Sequence, residues 1–476
     1  MLPFMTLAVM AMVPGVPDAS DPGPAPRVAE LLAQVSPQKL HLTVEKLCGF
    51  GTRHSLSDAS SPSEGIGAAG RWLRDELRSS SPGLEAALEE FDAPKSVRLP
   101  DGARLANVVA VLPGTMPEAR DRAYYVIGHY DSRNGDAMDA KGPAPGANDD
   151  ASGVAAVLEC ARVLGDHPCE ATIVFLCTAG EEQGLVGAQQ HAKQLASDQR
   201  YRLVQALNND IVGDPSPGAE TGTSRTLSGE PGAAPLQNAD QPGSPPGPPL
   251  GYRKSIIRVF SEGIPRNANA EALARIRLEG AESDATSRQL ARFVAYVAHR
   301  EHTQLQPLLV FRQDRFLRGG DHAAFNESGF AAVRLTAPTE DYSRQHQNVT
   351  EKNGKPYGDV PAFVDAEYLA AVTRLNLASL VHLASAPTPP ANARIVTAEL
   401  STDTLLRWNP SPEPDTAGYE VVCRQTTEPD WTRVIDAGNA TELRIALSKD
   451  NAFFGVRAYD KDGFRSPVSF AWAARE

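Results

Sequence analysis

Between Arg27 and about Ala386, amphipathic segments alternate with short, continuous apolar runs. Apolar residues recur at helical spacing in the first kind of segment, which predicts helices. The predicted helices are residues 42–48, 65–77 and 151–164. The apolar runs are too short for helices and rich in β-forming residues, which predicts buried strands. The predicted strands are residues 105–112, 123–128, 172–178, 204–207 and 331–336. The alternation predicts an α/β fold with a mostly parallel central sheet flanked by helices over residues 27–386.

After Ala386 the pattern changes. A Pro-rich linker, PTPPANA, precedes seven short strand-like segments that are separated by turn residues. The seven segments are residues 394–400, 404–408, 418–424, 431–435, 441–447, 452–459 and 467–472. Their number and spacing predict a small all-β sandwich over residues 387–476. Through Trp408, Tyr419 and the stretch 453–467, this region resembles a fibronectin type III domain, although Ala452 or Phe453 stands where that family carries its corner tyrosine.

Two segments are expected to lie outside these regions. Residues 1–26 contain an apolar stretch followed by prolines, which resembles a secretory signal and favours export, periplasmic or secreted. No Lys or Arg precedes Arg27 and no clean cleavage site follows the stretch, so a cytoplasmic protein is the alternative. Residues 214–250 contain 9 Pro and 6 Gly in 37 residues and no aromatic residue, which predicts a disordered insertion.

Composition narrows the class of protein. The charge balance of 46 basic and 59 acidic residues, −13 overall, argues against a nucleic-acid-binding surface. No apolar run reaches the roughly 18 residues of a membrane-spanning helix. The five cysteines form no CxxC pair and are odd in number, so neither a thiolate zinc site nor a disulfide scaffold is indicated. These features do not indicate an oligomeric state.

Chemistry-bearing side chains stand directly behind three predicted strands. They are His129 and Asp131, Glu181 and Glu182, and Asp210. The carboxyl ends of parallel strands meet at one sheet edge, where ligands of α/β proteins bind. Asp149 and Asp150 begin a predicted helix, where paired acids are most often only caps. Because so many carboxylates at one edge would repel one another, a metal ion between them is the simplest explanation.

These motifs are similar to those of the zinc-dependent aminopeptidase family that includes bacterial leucyl aminopeptidases, glutamate carboxypeptidase and the inactive transferrin receptor. The motifs are HYDS, PGANDDASG, AGEEQGLVG, LNND and a late histidine, within residues 42–386. The resemblance implies two zinc ions bridged by Asp149. It assigns His129 and Asp210 to one ion, Glu182 and the late histidine to the other, Glu181 as general base and Asp131 as the residue that orients His129.

The late histidine is either His322 or His346. The family's last ligand follows the final core strand and precedes a closing helix, which favours His346. His322 resembles a family segment that lies near the site without binding metal. Asp150 and Asp321 are expected to support the ligands in the same way.

The resemblance implies an exopeptidase that acts on peptide substrates. An aminopeptidase is favoured because a carboxylate-rich site accommodates a cationic amino terminus. A carboxypeptidase or dipeptidase of the same fold is the first alternative. A glutaminyl cyclase with a single zinc ion and a non-catalytic binding protein are further alternatives, and the presence of all five candidate ligands argues against both.

Overall fold

The computed structural model of the protein describes residues 23–215, 254–398 and 400–475. The predicted signal segment, residues 1–26, and the predicted insertion, residues 214–250, lie almost entirely outside these ranges. Both therefore stay predictions.

Helices and strands alternate through the first part of the described chain, and strands alone fill the last part. The helices are α1 (Pro26–Leu32), α2 (Pro37–Cys48), α3 (Gly65–Ser80), α4 (Ser152–Leu164), α5 (Val186–Asp198), α6 (Ala270–Glu279), α7 (Thr286–Arg300), α8 (His322–Glu327) and α9 (Ala366–Ser385). The strands before α9 are β1 (Glu85–Ala93), β2 (Ala103–Leu112), β3 (Arg122–His129), β4 (Thr172–Thr178), β5 (Leu203–Asn209), β6 (Ile256–Ser261), β7 (Gln306–Val310), β8 (Ala331–Thr336), β9 (Thr350–Lys352) and β10 (Lys355–Tyr357). The strands after α9 are β11 (Ala391–Val396), β12 (Thr404–Asn409), β13 (Thr416–Gln425), β14 (Arg433–Gly438), β15 (Glu442–Ile445), β16 (Ala452–Asp460), β17 (Ser469–Phe470) and β18 (Trp472–Ala474).

An eight-stranded sheet with the order β1-β2-β4-β3-β5-β8-β6-β7 forms the centre of the α/β region, residues 26–386. Strands β4, β3, β5 and β8 run parallel, while β2 joins β4, and β6 joins β8, in antiparallel pairing. Every residue of β3, β4 and β8 is buried. Successive side chains of β3 pack alternately against α4 and α9 on one face and α5 and α8 on the other. The predicted fold class is confirmed.

The edge strands were not predicted. Strand β1 carries four acidic residues and exposes several side chains, so it lacks the apolar run that marks the central strands. It pairs antiparallel with β2 only. Strand β7 is likewise partly exposed at the opposite edge. Strands with one free edge have fewer buried positions and a correspondingly weaker apolar pattern.

The β-sandwich, residues 391–474, consists of two four-stranded sheets with the orders β15-β12-β11-β18 and β14-β13-β16-β17. Its own core includes Leu406, Trp408, Val421, Phe454 and Val456. Each predicted segment coincides with a strand except the last, residues 467–472, which divides into β17 and the start of β18 in different sheets. The likeness to a fibronectin type III domain stays a prediction.

The two regions share a buried contact surface. Asp284, before α7, and Arg424, in β13, form an ion pair at 2.7 Å with side chains 0% and 2% exposed. Phe464, from the turn after β16, lies within the core of the α/β region, with its ring centroid 4.9 Å from that of His382 in α9. Among the described residues, no helix combines the length and the apolar character needed to cross a membrane.

Candidate metal centre

Three parallel strands end side by side at the edge where the site lies. The register pairs His129, the last residue of β3, with Thr178, the last residue of β4. It also pairs Ile127 of β3 with Asn208 of β5. The turn that carries Glu181, and Asp210 directly after β5, therefore emerge beside His129.

A buried loop, residues 145–150, brings Asp149 to the same edge. Arg53 is fully buried and donates hydrogen bonds to two main-chain oxygens of this loop at 2.6 and 2.9 Å. Asp359 accepts a hydrogen bond from the main-chain N–H of Asp149 at 2.8 Å. Asp149 itself has non-helical backbone angles, and α4 begins only at Ser152. The loop is therefore held by long-range contacts, and Asp149 is not a helix cap.

The candidate ligands fall into two groups that share one cavity. The first group is His129, Glu181 and Asp210, and the second is Asp149, Glu182 and His346, with the potential ligand atoms of each group within 4.8 Å of one another. Asp149 lies between the groups, since its Oδ1 is 3.1 Å from His129 Nε2 and its Oδ2 is 3.0 Å from His346 Nε2. The structure thus brings together all five predicted ligands and the predicted base.

His129 provides the test of whether a metal ion fits. Its Nδ1 lies 3.2 Å from the main-chain oxygen of Asp131, which suits the tautomer with a proton on Nδ1. Its Nε2 is buried and has no hydrogen-bond partner among the described residues, although Asp149 Oδ1 lies 3.1 Å away. An imidazole nitrogen left in this state beside carboxylate oxygens matches the nitrogen and oxygen ligands that zinc takes. The residues fit a zinc site.

Glu181 and Glu182 are neighbours in sequence but have different surroundings. Glu182 Oε1 lies 2.8 Å from His346 Nε2, and Glu182 Oε2 accepts a hydrogen bond from Arg133 Nε at 2.8 Å. The carboxylate of Glu181 has no hydrogen bond or ion pair with any described residue at these distances, and it lines the cavity. Burial raises the pKa of Glu181 well above its usual range, which makes its ionised form a stronger base.

Asp131 contacts more than its predicted partner. Its carboxylate lies 3.7 Å from His129 Nδ1, farther than the main-chain oxygen described above. Its two oxygens instead accept hydrogen bonds from the main-chain N–H groups of Glu181 and Glu182, both at 3.1 Å. The predicted carboxylate–imidazole contact is therefore longer than a hydrogen bond, and the Asp131 side chain mainly holds the turn that presents the two glutamates.

Asp150 has a purely supporting position. Its Oδ2 accepts a hydrogen bond from the main-chain N–H of His129 at 3.1 Å, and its Oδ1 accepts one from that of Gly153 at 2.9 Å.

A Cβ on Gly128 would lie only 2.7 Å from the main-chain carbon of Gly153, so glycine is required for β3 to approach the start of α4 this closely.

The two late histidines lie in different surroundings. His346 contacts Glu182 and Asp149, as expected of a ligand. His322 Nε2 lies 2.9 Å from the main-chain oxygen of Gln313 and is not a member of either ligand group. Asp321 is buried, and its Oδ2 accepts a hydrogen bond from Thr178 Oγ1 at the end of β4.

Sequence reasoning missed three side chains that bond to the candidate ligands. Arg334 is fully buried in β8 and its Nη2 lies 2.9 Å from Asp210 Oδ1. Arg133 bonds to Glu182, and Gln345 donates a hydrogen bond to Asp149 Oδ2 at 2.9 Å. Arg133 follows HYDS directly and Gln345 precedes His346, so proximity to a motif was the only available signal.

The electrostatics of the site favour a bound cation. Burial lowers the pKa of His346, but Glu182 and Asp149 outweigh that effect and raise it to about 9. Burial raises the pKa of Asp149, but the two histidines hold it well below its usual range. Protons on the imidazoles thus neutralise the carboxylates when no metal is bound, and a metal ion must displace them.

Several known proteins are similar to this chain. Residues 107–239 match peptidase family M28. The chain is 38% identical over 454 residues to a probable zinc metalloprotease of Leptosphaeria maculans, covering 94% of this chain and 97% of that relative. It is 39% identical over 448 residues to a probable zinc metalloprotease of Pyricularia oryzae, covering 92% and 83%. A solved aminopeptidase from Aneurinibacillus sp. strain AM-1 aligns with a TM-score of 0.48 at 13% identity, over 75% of this chain and 96% of that one. This chain belongs to peptidase family M28 and is a zinc metalloprotease.

Proposed function

We propose that this zinc metalloprotease is an aminopeptidase that binds two zinc ions bridged by Asp149. The observation that carries the proposal is that the two oxygens of Asp149 face different histidines, at 3.1 and 3.0 Å. His129 and Asp210 would hold one ion, and Glu182 and His346 would hold the other. Two ions bound in this way polarise a substrate carbonyl and lower the pKa of a bound water.

Glu181 is the proton carrier in this proposal. Its carboxylate faces the cavity without a described partner, so one of its oxygens is free to accept a proton from the attacking water. The same oxygen then delivers the proton to the nitrogen of the departing amine. Asp131 keeps Glu181 in place through the main-chain hydrogen bond at 3.1 Å.

The size of the cavity supports removal of terminal residues. The cavity above the ligands has a volume of about 250 Å³. This lies below the roughly 300 to 1,000 Å³ of pockets that enclose drug-sized ligands. One or two residues at the end of a peptide fill such a space, whereas a protease that cleaves within long chains needs an extended groove.

The charges favour the amino end of the substrate. Four carboxylates face the cavity, and they are those of Asp149, Glu181, Glu182 and Asp210. A cationic amino terminus is attracted to such a surface. Four arginines also line the cavity, namely Arg98, Arg133, Arg315 and Arg318. They favour a second candidate, a carboxypeptidase or dipeptidase, because guanidinium groups bind terminal carboxylates.

Most of these arginines are already engaged by acidic side chains. Arg133 bonds to Glu182 at 2.8 Å. Arg315 and Arg318 both bond to Glu340, at 2.7 and 2.8 Å. Glu340 also pairs with Arg258, and Arg315 also pairs with Asp314, so the charge of these arginines is partly neutralised within the protein, and we retain the aminopeptidase as the proposed function.

The two glutamates provide the test of the mechanism. Glu181→Gln keeps the size of the side chain but removes its ability to accept a proton, so kcat should fall by about 10² to 10⁴ while zinc content stays at two per chain. Glu182→Gln is the matched control and should lose zinc, because a neutral amide is a poor metal ligand. Zinc is measured by atomic emission and kcat on a chromogenic substrate. Equal zinc loss in both variants would contradict the assigned roles.

Substrates with one blocked end provide the test of specificity. The zinc-loaded protein is expected to hydrolyse amino-acid p-nitroanilides and dipeptides with a free amino end, and to leave peptides with an acetylated amino end intact. Cleavage of acetylated peptides at a free carboxyl end would replace the proposal with the carboxypeptidase. Cyclisation of amino-terminal glutaminyl peptides without hydrolysis would assign a glutaminyl cyclase.

A further inference from the structure

A second group of acidic side chains lies between the α/β region and the β-sandwich. Glu170 precedes β4 of the α/β region, whereas Asp415 precedes β13 and Asp460 ends β16 of the β-sandwich. One carboxylate oxygen of each lies within 4.8 Å of the others. We call these three residues the seam cluster. None of them belongs to the zinc centre.

The oxygens of the seam cluster lack the partners that buried carboxylates normally have. Glu170 Oε2, Asp415 Oδ1 and Asp460 Oδ2 are buried and have no hydrogen-bond partner among the described residues. Asp460 is only 3% exposed. Its Oδ1 accepts a hydrogen bond from the main-chain N–H of Phe464 at 2.8 Å, so Oδ2 is the oxygen without a partner. Three carboxylates held this close together are costly to ionise unless a cation lies between them.

Among the described residues, no cationic side chain forms an ion pair with the seam cluster. Arg122 is the cation that acts on Glu170, but it is itself paired with Glu413 at 3.5 Å, with both side chains 0% exposed. Arg122 also donates a hydrogen bond to the main-chain oxygen of Ala386 at 2.8 Å. Glu413 also pairs with Arg202 at 3.3 Å, and Arg202 pairs with Asp121 at 2.7 Å. These two arginines and two carboxylates are neutral together, so the three carboxylates of the seam cluster remain uncompensated.

We propose that the seam cluster binds a calcium ion that joins the β-sandwich to the α/β region. The cluster offers only carboxylate oxygens, without the imidazole or thiolate that zinc favours. Calcium takes six to eight oxygens in variable geometry and completes its shell with water, whereas magnesium requires a near-ideal octahedron. Glu170 and Asp415 are partly exposed, which gives the ion and its waters access from solvent. Because the ligands come from both regions, calcium binds the assembled protein and stabilises it.

A proton competes with calcium for the carboxylates of the seam cluster. Burial, together with repulsion from Asp415 and Asp460, raises the pKa of Glu170 to about 8, although Arg122 opposes the shift. Burial likewise raises the pKa of Asp460 to about 6, with Asp415 and the exposed Asp462 adding to the effect. Protonated Glu170 is a weaker ligand, so calcium should bind more tightly at pH 8.5 than at pH 6.5.

The test uses the full-length, zinc-loaded protein and Glu170→Gln, with Glu90→Gln as the control because Glu90 is 58% exposed and outside the cluster. Calorimetric titration with CaCl₂ at pH 8.5 is expected to show one calcium per chain in the wild type and in Glu90→Gln, with Kd raised at least about tenfold in Glu170→Gln. Calcium should raise Tm in the first two proteins only. Without calcium, Glu170→Gln should be at least as stable as the wild type, since it removes a repelling charge.

Three results would overturn the proposal. The first is the absence of calcium binding to the wild type, and the second is equal binding in Glu170→Gln. The third is stability that responds to pH between 6.5 and 8.5 but not to calcium, which would assign a shared proton to the cluster. Peptide hydrolysis at fixed zinc serves as the check on folding, and it should be equal in all three proteins.

Discussion

Removal of Asp284 is expected to destabilise the whole protein, although this residue lies outside the metal centre. Asp284 accepts hydrogen bonds from Arg424 at 2.7 Å, from Arg292 at 3.2 Å and from Gln289 at 3.0 Å. The side chain of Asp284 is 0% exposed, and those of the two arginines are each 2% exposed. Asp284→Ala therefore leaves two guanidinium groups buried without their carboxylate.

The magnitude follows from the burial. Removing one partner from a buried ion pair costs about 3 to 5 kcal/mol, because the remaining charge loses both its partner and its solvation. At about 2 °C per kcal/mol, the lower end of the range for domains of 150 to 250 residues, Tm should fall by roughly 6 to 10 °C. Asp92→Ala is the matched control, since Asp92 pairs with Arg104 at 3.1 Å but is 81% exposed. An exposed ion pair contributes about 0 to 1 kcal/mol to the free energy of unfolding, so Asp92→Ala should change Tm much less.

The assay is thermal unfolding followed by circular dichroism at one fixed scan rate, with zinc content measured beforehand. Asp284→Ala should retain its zinc and its kcat at low temperature while its Tm falls. Asp284→Asn keeps one acceptor oxygen but replaces the other with an NH₂ donor, and it should lie between Asp284→Ala and the wild type. If Asp284→Ala and Asp92→Ala shift Tm equally, the buried pair contributes no more than an exposed one and the reasoning is refuted.

The remaining predictions concern the ligands, the β-sandwich and pH. His346→Ala should lose one zinc per chain in atomic emission whereas His322→Ala should retain two, and the reverse result would exchange their roles. A chain that ends at Ala386 lacks Arg424 and Glu413, so it should unfold at a lower urea concentration than the full chain. Its folded fraction should still hydrolyse small substrates. A truncated protein that binds zinc but is inactive would show that the β-sandwich helps to form the site. Burial lowers the pKa of His322 to about 4 in the folded protein. Between pH 6.5 and 4, His322 is therefore protonated in the unfolded chain but neutral in the folded protein. The free energy of unfolding should therefore fall by about 3 kcal/mol through His322 as the pH falls from 6.5 to 4. In urea unfolding, the decrease in this free energy between pH 7 and pH 5 should be smaller in His322→Asn than in the wild type.

The parts of the site that could be predicted are those that the fold brings together by necessity. His129, Glu181 and Asp210 stand directly behind consecutive buried strands, and the ends of parallel strands must adjoin. Asp149 and Glu182 were identified by family resemblance, and the structure places them beside His346. Local sequence pattern was sufficient for His129, Glu181 and Asp210 because each lies at the end of a strongly apolar strand or within a few positions of it.

The parts that could not be predicted depend on contacts distant in sequence. Arg334 lies within an apolar strand, AAVRLT, where nothing local indicates that Asp210 is its partner. Asp284 and Arg424 are 140 positions apart. The main-chain oxygen of Asp131 lies closer to His129 than its carboxylate does, a difference of geometry that residue type does not encode.

The buried ion pairs between the two regions join residues that are synthesised at different times. Arg122 and Asp284 emerge from the ribosome before Glu413 and Arg424, the residues that neutralise them. At 5 to 20 residues per second, residues 387–476 take roughly 5 to 20 s to synthesise. During that interval Arg122 lacks Glu413, and Asp284 has only one of its two arginine partners, Arg292. The β-sandwich, which is made after the α/β region, therefore completes these buried ion pairs, and all the candidate metal ligands are synthesised before the pairs can form.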